Sequence, residues 1–265
     1  MRGWAKVVLL FDVGNTHTVA GLTENGLNFI KWRLATQRYE TEDELYSHLS
    51  TLLNYHRVEI ENIRHVVVAS VVPSLNHVFS KFAMKYANTS VVWVQADQSS
   101  GIQWDVDNPS EIGADRVANA IAAAEISENC IVIDFGTAIT IDIIEKRSYK
   151  GGAILPGLTT SAHSLFEKTA KLPQVDLSAP LKCIGSNTAD NIKIGIVKGT
   201  AYAVNGLVKE VKETLRNDPI VILTGGQSKI IQKLIRYDLV EQNLTLRGMY
   251  TFLKNACTLG ESVDL

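Results

Sequence analysis

Cysteine is scarce in this 265-residue chain: Cys130, Cys183 and Cys257 stand far apart and form no CxxC pair. That argues against a thiolate metal site or a dithiol redox centre, and an odd, sparse count suits a reducing compartment. Long apolar runs are missing too. The run nearest the start, Val7 to Phe11, ends at Asp12 and is too short for a secretory signal. Nothing approaches the ~20 apolar residues of a membrane span. Charge of one sign is also absent: 26 Lys and Arg stand against 28 Asp and Glu, for a net charge of −2, and the basic residues form no run. Such a balance calls for neither nucleic acid nor an anionic membrane. The six histidines show no HxxxH or HExxH spacing, so a zinc site is not expected. The tryptophans Trp4, Trp32, Trp93 and Trp104 fall at irregular intervals and read as packing residues rather than a base-stacking platform.

Several nucleotide-binding signatures are absent as well. There is no GxxxxGK[ST], no GxGxxG, and no HRD loop upstream of Asp134-Phe135-Gly136. P-loop, dinucleotide-binding and protein-kinase readings are disfavoured accordingly. What remains is an apolar content of 46% and a charged content of 20%, the balance of an ordinary globular, here cytoplasmic, protein.

The pattern is mixed α/β. Val7–Phe11, Thr18–Leu22 and Phe29–Leu34 read as strands, with Glu24-Asn25-Gly26 as a turn. Thr41-Glu-Asp-Glu44 is a capping box ahead of a helix to about Leu53. A strand at Val66–Ser70, a helix opened by Pro73, a strand at Val91–Val94, a loop from Gln98 to Pro109 and an Ala-rich helix from Gly113 to Ile126 follow. Strands at Ile131–Asp134, Ile139–Ile144 and Lys150–Leu155 then begin a second half. Pro156-Gly157 opens a helix, and Asn187–Leu215 is a long helical pattern broken near Gly195 or Gly199. Ile220–Thr224 is a strand ending at two glycines, with a helix after it.

One pattern, D-x-G-x-x-x-T-[VI], occurs twice, at Asp12–Val19 and at Asp134–Ile141, nearly half the chain apart. Each copy follows an apolar strand and leads into another. The expectation is a duplicated α/β fold with a cleft between halves divided as 1–114 and 115–265. A carboxylate at a strand end beside a Gly turn suits phosphate chemistry. The glycine lets backbone N–H groups come close, and Asn15, Thr16 and Thr18 add donors. Asp12 could hold a phosphate-bound Mg²⁺ through water. Thr224-Gly-Gly-Gln-Ser228 offers a third Gly-lined wall, for base and ribose. Asp115 and Arg116 put an acid and a base at a helix start, where free amides and the dipole favour the acid.

The three Gly turns in order resemble the actin, Hsp70 and sugar-kinase superfamily, which implies duplicated ribonuclease H-like domains around a central cleft. More narrowly, Asp12-Val-Gly-Asn-Thr16, Asn108-Pro109 with Gly113-Ala-Asp-Arg116, Asp134-Phe-Gly-Thr137 and Gly151-Gly-Ala-Ile-Leu-Pro-Gly157 resemble, as an ordered set over nearly the whole chain, the type III pantothenate kinases. The resemblance implies ATP-dependent phosphorylation of the primary hydroxyl of pantothenate, the first step of coenzyme A synthesis. It implies that Asp115 accepts the proton and that Asp12, Val13, Gly14, Asn15, Thr16, His17, Thr18 and Val19, with Thr137, contact ATP. Gly113, Ala114, Asp115, Arg116 and Thr188 are implied to line the pantothenate site, and Asp134 to hold K⁺ or NH₄⁺. Val106 stands where many relatives carry Tyr. Arg116 could meet either the pantothenate carboxylate or the moving phosphoryl group. A homodimer is implied as well, and the apolar stripe Ile192, Ile196, Val197, Ala201, Val204, Leu207, Val208 and Val211 is the surface expected to form it. Two rival readings are a related kinase acting on a sugar or acetate and a nucleotide-binding accessory factor for transcription.

Overall fold

A computed structural model describes residues 7–259. Trp4 lies outside the described residues. The chain forms two compact units. The first runs up to Ala122 and takes in the chain from Asn243 onward; the second is Ala123–Gln242. Residues 115–122 and 243–259, grouped with the second half in the sequence division, therefore cluster with the first unit.

In the first unit, strands β1 (Val7–Val13), β2 (His17–Thr23), β3 (Ile30–Ala35), β4 (Ile63–Ser70) and β5 (Val91–Trp93) form a sheet in the order β3-β2-β1-β4-β5. β1 pairs antiparallel with β2 and parallel with β4. It is buried on both faces, which is why it reads as an unbroken apolar run and not as an alternation. Leu9, Phe11 and Val13 face helices α1 (Glu42–Tyr55) and α2 (Asn76–Tyr86), packing with Leu45, Leu49, Phe79 and Phe82. Val8 and Leu10 face the other way, onto Val117 and Ile121 of α3 (Ala114–Ile126) and Met249 and Phe252 of a C-terminal helix, Leu244–Thr258. α1 starts where the sequence says it should: Thr41 Oγ1 accepts the Glu44 amide while the Glu44 carboxylate accepts the Thr41 amide, satisfying two end donors. A two-residue strand, β6 (Gln103–Trp104), lies in the expected loop.

In the second unit, β7 (Cys130–Phe135), β8 (Ala138–Glu145), β9 (Ser148–Pro156), β10 (Ile220–Thr224) and β11 (Leu239–Val240) run in the order β9-β8-β7-β10-β11. Again the first strand pairs antiparallel with the second and parallel with the fourth. Strand for strand this is the first sheet repeated, as the sequence repeat requires. Helices α4 (Leu158–Lys168), α5 (Thr188–Lys193), α6 (Gly199–Thr214) and the short α7 (Ser228–Ile231), which follows the third Gly turn as expected, belong to it.

Two sequence expectations are corrected here. The helical pattern of 187–215 is not broken at Gly195 or Gly199; a π-helical turn, Ile194–Lys198, carries it from α5 into α6. The apolar stripe of that stretch is not a surface for a second copy. Ile192, Ile196, Val197, Ala201, Val204 and Val208 are buried against Ile131, Ile133, Phe135 and Ile141 of the unit's own sheet. No helix among the described residues is long and apolar enough to cross a membrane.

Candidate active site

The first turn is built at the end of β1, where the chain reverses through Gly14, Asn15 and Thr16. The Gly14 amide donates to the His17 carbonyl at 3.1 Å. Asn15, Thr16 and His17 are exposed, while Asp12 is half-buried. The turn is pinned from outside by a residue the sequence did not single out. Thr36 donates its hydroxyl to the Gly14 carbonyl at 2.7 Å and its amide to the Thr16 carbonyl at 3.1 Å. Thr18 points inward, not to the turn surface. Its hydroxyl lies 3.1 Å from that of Thr36 and also bonds Tyr39, whose phenol burial pushes above its usual pKa. Thr36 opens a single 3₁₀ turn and Tyr39 follows it, a piece too short to give a periodic signal.

His17 Nδ1 sits 2.9 Å from the Arg33 guanidinium. Partial burial and the Arg33 charge both lower the His17 pKa. The ring is therefore neutral near pH 7, and with the guanidinium donating, Nδ1 accepts.

α3 begins beside this turn. Val71 donates its amide to the Val13 carbonyl at 3.0 Å, and its Cγ1 approaches Gly113 so closely that a Cβ there would lie 3.3 Å away. The same imagined Cβ would lie 2.6 Å from Asp115 Oδ1, so a larger residue at 113 would make the carboxylate shift. Asp115 Oδ1 accepts the Arg116 amide at 2.8 Å, and both side chains are half-buried. A negative charge in the first turn of a helix interacts favourably with the helix dipole. The first unit thus brings Asp12, the first turn, Val71, Gly113 and Asp115 into one neighbourhood.

The second turn is one residue tighter. The Gly136 amide reaches the Ala138 carbonyl at 3.0 Å. Gly157 donates to the Thr137 carbonyl at 3.0 Å and has no room for a side chain, since a Cβ would lie 2.3 Å from that oxygen. Thr160 Oγ1 donates to the same carbonyl at 2.7 Å. Gln227, in the third Gly turn, donates its amide to the Phe135 carbonyl and its Nε2 to the Gly136 carbonyl at 2.8 Å, while Oε1 accepts the Thr159 amide. The third turn therefore braces the second and the start of α4. Gly225, at φ +94°, presses on Asp134: a Cβ would lie 2.4 Å from Asp134 Oδ1. Thr188 stands exposed at the first position of α5, whose cap is Asn187 accepting the Asp190 amide at 2.9 Å.

The shorter turn changes the register. Thr18 lies opposite Val13, but Thr140 lies opposite Asp134. Since strand side chains alternate faces, Thr18 and Thr140 point to opposite sides of their sheets although the motif aligns them. By pairing, Val19 is the counterpart of Thr140.

The donors at these turns are carboxylates, hydroxyls and carbonyls, the oxygen chemistry that suits Mg²⁺ and alkali cations. Among the described residues no three His, Cys, Asp or Glu converge on a metal position.

Comparison with known proteins agrees. Residues 8–210 match the family model described as type III pantothenate kinase. The type III pantothenate kinase of Thermosipho melanesiensis is 46% identical over 248 residues, 93% of this chain and 98% of that protein. Among solved structures, a Campylobacter jejuni protein assigned to the Baf family of transcriptional activators superposes with a TM-score of 0.58 at 20% identity, covering 95% of this chain and 100% of the other. Component A of the (R)-2-hydroxyglutaryl-CoA dehydratase of Acidaminococcus fermentans gives 0.56 at 15% identity, covering 95% and 99%. Those two likenesses speak to the fold alone.

Proposed function

The chain belongs to the type III pantothenate kinase family, and we propose how its residues divide the work of that reaction. The enzyme transfers a phosphoryl group from ATP, with a divalent metal, to pantothenate on the way to coenzyme A. A rival role as a transcriptional accessory factor is not favoured.

In our reading, Asp115 is the proton acceptor. It takes the proton from the primary hydroxyl of pantothenate as the oxygen closes on the γ-phosphorus. The transition state of such a transfer is loose and anionic, so positioning and charge matter more than base strength, and an acceptor with the ordinary pKa of about 3.9 suffices if placed correctly. Gly113, Ala114, Arg116 and Thr188 line the pantothenate position. The stretch from Asp12 to Val19 holds ATP phosphates, with exposed Asn15 and Thr16 as donors, and Thr137 adds a contact from the second turn. Asp12 holds Mg²⁺ through water and Asp134 a K⁺ or NH₄⁺ ion; when bound, these ions neutralise phosphate charge. The observation that carries the reading is the place of Asp115, at a helix start beside the first turn, with its carboxylate close against Gly113 and bonded by the Arg116 amide.

The protein works in the cytoplasm as a homodimer, with no nucleic-acid or membrane partner. Since the α6 stripe is internal, we assign the contact to exposed apolar residues of the second unit between 165 and 202. Leu181 and Ile184, 100% and 85% exposed, with Phe166 and Tyr202, are its anchors. The test of the function is ATP consumption by purified protein against a panel of pantothenate, sugars and acetate, with Mg²⁺ and with K⁺ or Na⁺. Turnover on pantothenate alone, stimulated by K⁺, is expected; turnover on a sugar or acetate in preference would overturn it.

A further inference from the structure

The duplicated sheets provide an internal control on the second turn. Both first strands end in an aspartate beside glycine, yet the strand behind differs in one respect. Asp134 lies opposite Thr140 and Val132 opposite Asp142; in the first unit the same places hold Val19, opposite Asp12, and Gly21, opposite Leu10. The first copy shows that this pair of strands forms without any polar group at either place. Asp142 is wholly buried, so its carboxylate costs stability unless it is well bonded. Tyr149 donates its phenol to Asp142 Oδ1 at 2.7 Å, and Thr140 donates its hydroxyl to Oδ2 at 3.0 Å.

A hydroxyl has one proton and two lone pairs. With its proton committed to Asp142, Thr140 presents only lone pairs in other directions. Directly opposed residues of antiparallel strands share a face, with Cβ atoms about 4.5–5.5 Å apart. Thr140 and Asp134 are therefore direct cross-strand neighbours on one face of the sheet, with the Gly225 backbone close against the Asp134 carboxylate. One anionic and one neutral oxygen side by side are hard ligands of low total charge, suited to a singly charged cation.

We propose that Thr140 is a cation-binding residue alongside Asp134, and that Asp142 and Tyr149 are positioning residues that fix which way its hydroxyl points. This rests on the reading of Asp134 as the holder of a monovalent ion. The test is the thermal midpoint of the full-length protein with ADP as KCl replaces NaCl at constant ionic strength, alongside the K⁺ concentration for half-maximal activity. For the wild type, K⁺ raises the midpoint. Thr140→Val needs about tenfold more K⁺ or beyond in both measurements, the usual cost of losing a group that orders a metal site, while Thr140→Ser tracks the wild type. A folded Thr140→Val with the wild-type K⁺ response overturns the proposal and leaves the Asp134 reading standing. A wild type indifferent to K⁺ in both measurements overturns the Asp134 reading, and this proposal with it. Should Thr140→Val fail to fold, Thr140→Cys answers the same question, because sulfur is a poor ligand for a hard ion: an undiminished K⁺ response there also overturns the proposal.

Discussion

His17 stands on the exposed first turn with Nδ1 bonded to Arg33, and both its partial burial and the Arg33 charge disfavour a proton on the ring. Lowered in the fold, the group binds protons less readily than in the unfolded chain. Any stability tied to it is therefore present above the usual histidine range and is lost as the pH falls below it. NMR titration should place His17 below the ordinary value, and Arg33→Ala should move it upward; an unchanged titration would show that Arg33 does not matter to the ring. Thr18 teaches a related lesson at this scale. Its identity in the motif was legible, its direction was not, because one residue more or less in a turn reverses every side chain that follows. The hydroxyl that bonds the first turn directly from outside is that of Thr36, which no motif announces.

Elements were legible where periodicity and end signals agree. The α1 capping box, the apolar run of β1 and the Pro-Gly opening of α4 all stand where the sequence puts them. The C-terminal helix was missed for a physical reason. Gly248 and the threonines and aromatics around it argue against a helix locally. Yet a Cβ at Gly248 would lie 1.8 Å from the Ala118 carbonyl, so the glycine is there for close packing on α3. The π-helical turn was hidden likewise, since glycines at 195 and 199 read as a break. Gly225 gives the sharpest test at this scale. Its φ of +94° and the 2.4 Å approach to Asp134 Oδ1 and the Phe135 amide leave no room for alanine. Gly225→Ala should lower the stability by about 1–3 kcal/mol in urea unfolding. Pantothenate turnover should fall with it even where the variant is fully folded. A neutral substitution would mean that β10 can withdraw from the second turn.

For the whole molecule, the repeated strand order was legible from one short motif occurring twice, because each copy sits between the same two strands. The burial of the α6 stripe was not, since a buried stripe and an interface stripe have the same period. Val204 is fully buried, so Val204→Glu should unfold the second unit rather than split a dimer. A charge at Leu181 or Ile184 should instead yield a folded monomer. Sedimentation of both variants decides: a folded, monomeric Val204→Glu would return the interface to α6. A stable interface should bury at least ~1,200 Å².

The account stands on Asp115 as the acceptor of the pantothenate proton, and one measurement addresses it directly: steady-state turnover of Asp115→Asn with saturating ATP, Mg²⁺, K⁺ and pantothenate. The substitution keeps the shape and the bond from the Arg116 amide but removes the charge that receives a proton. A fall in kcat of roughly 10²–10⁴-fold is expected, with the KM for ATP and the thermal midpoint little changed. A kcat within about threefold of the wild type, far less than a general base contributes, would contradict it.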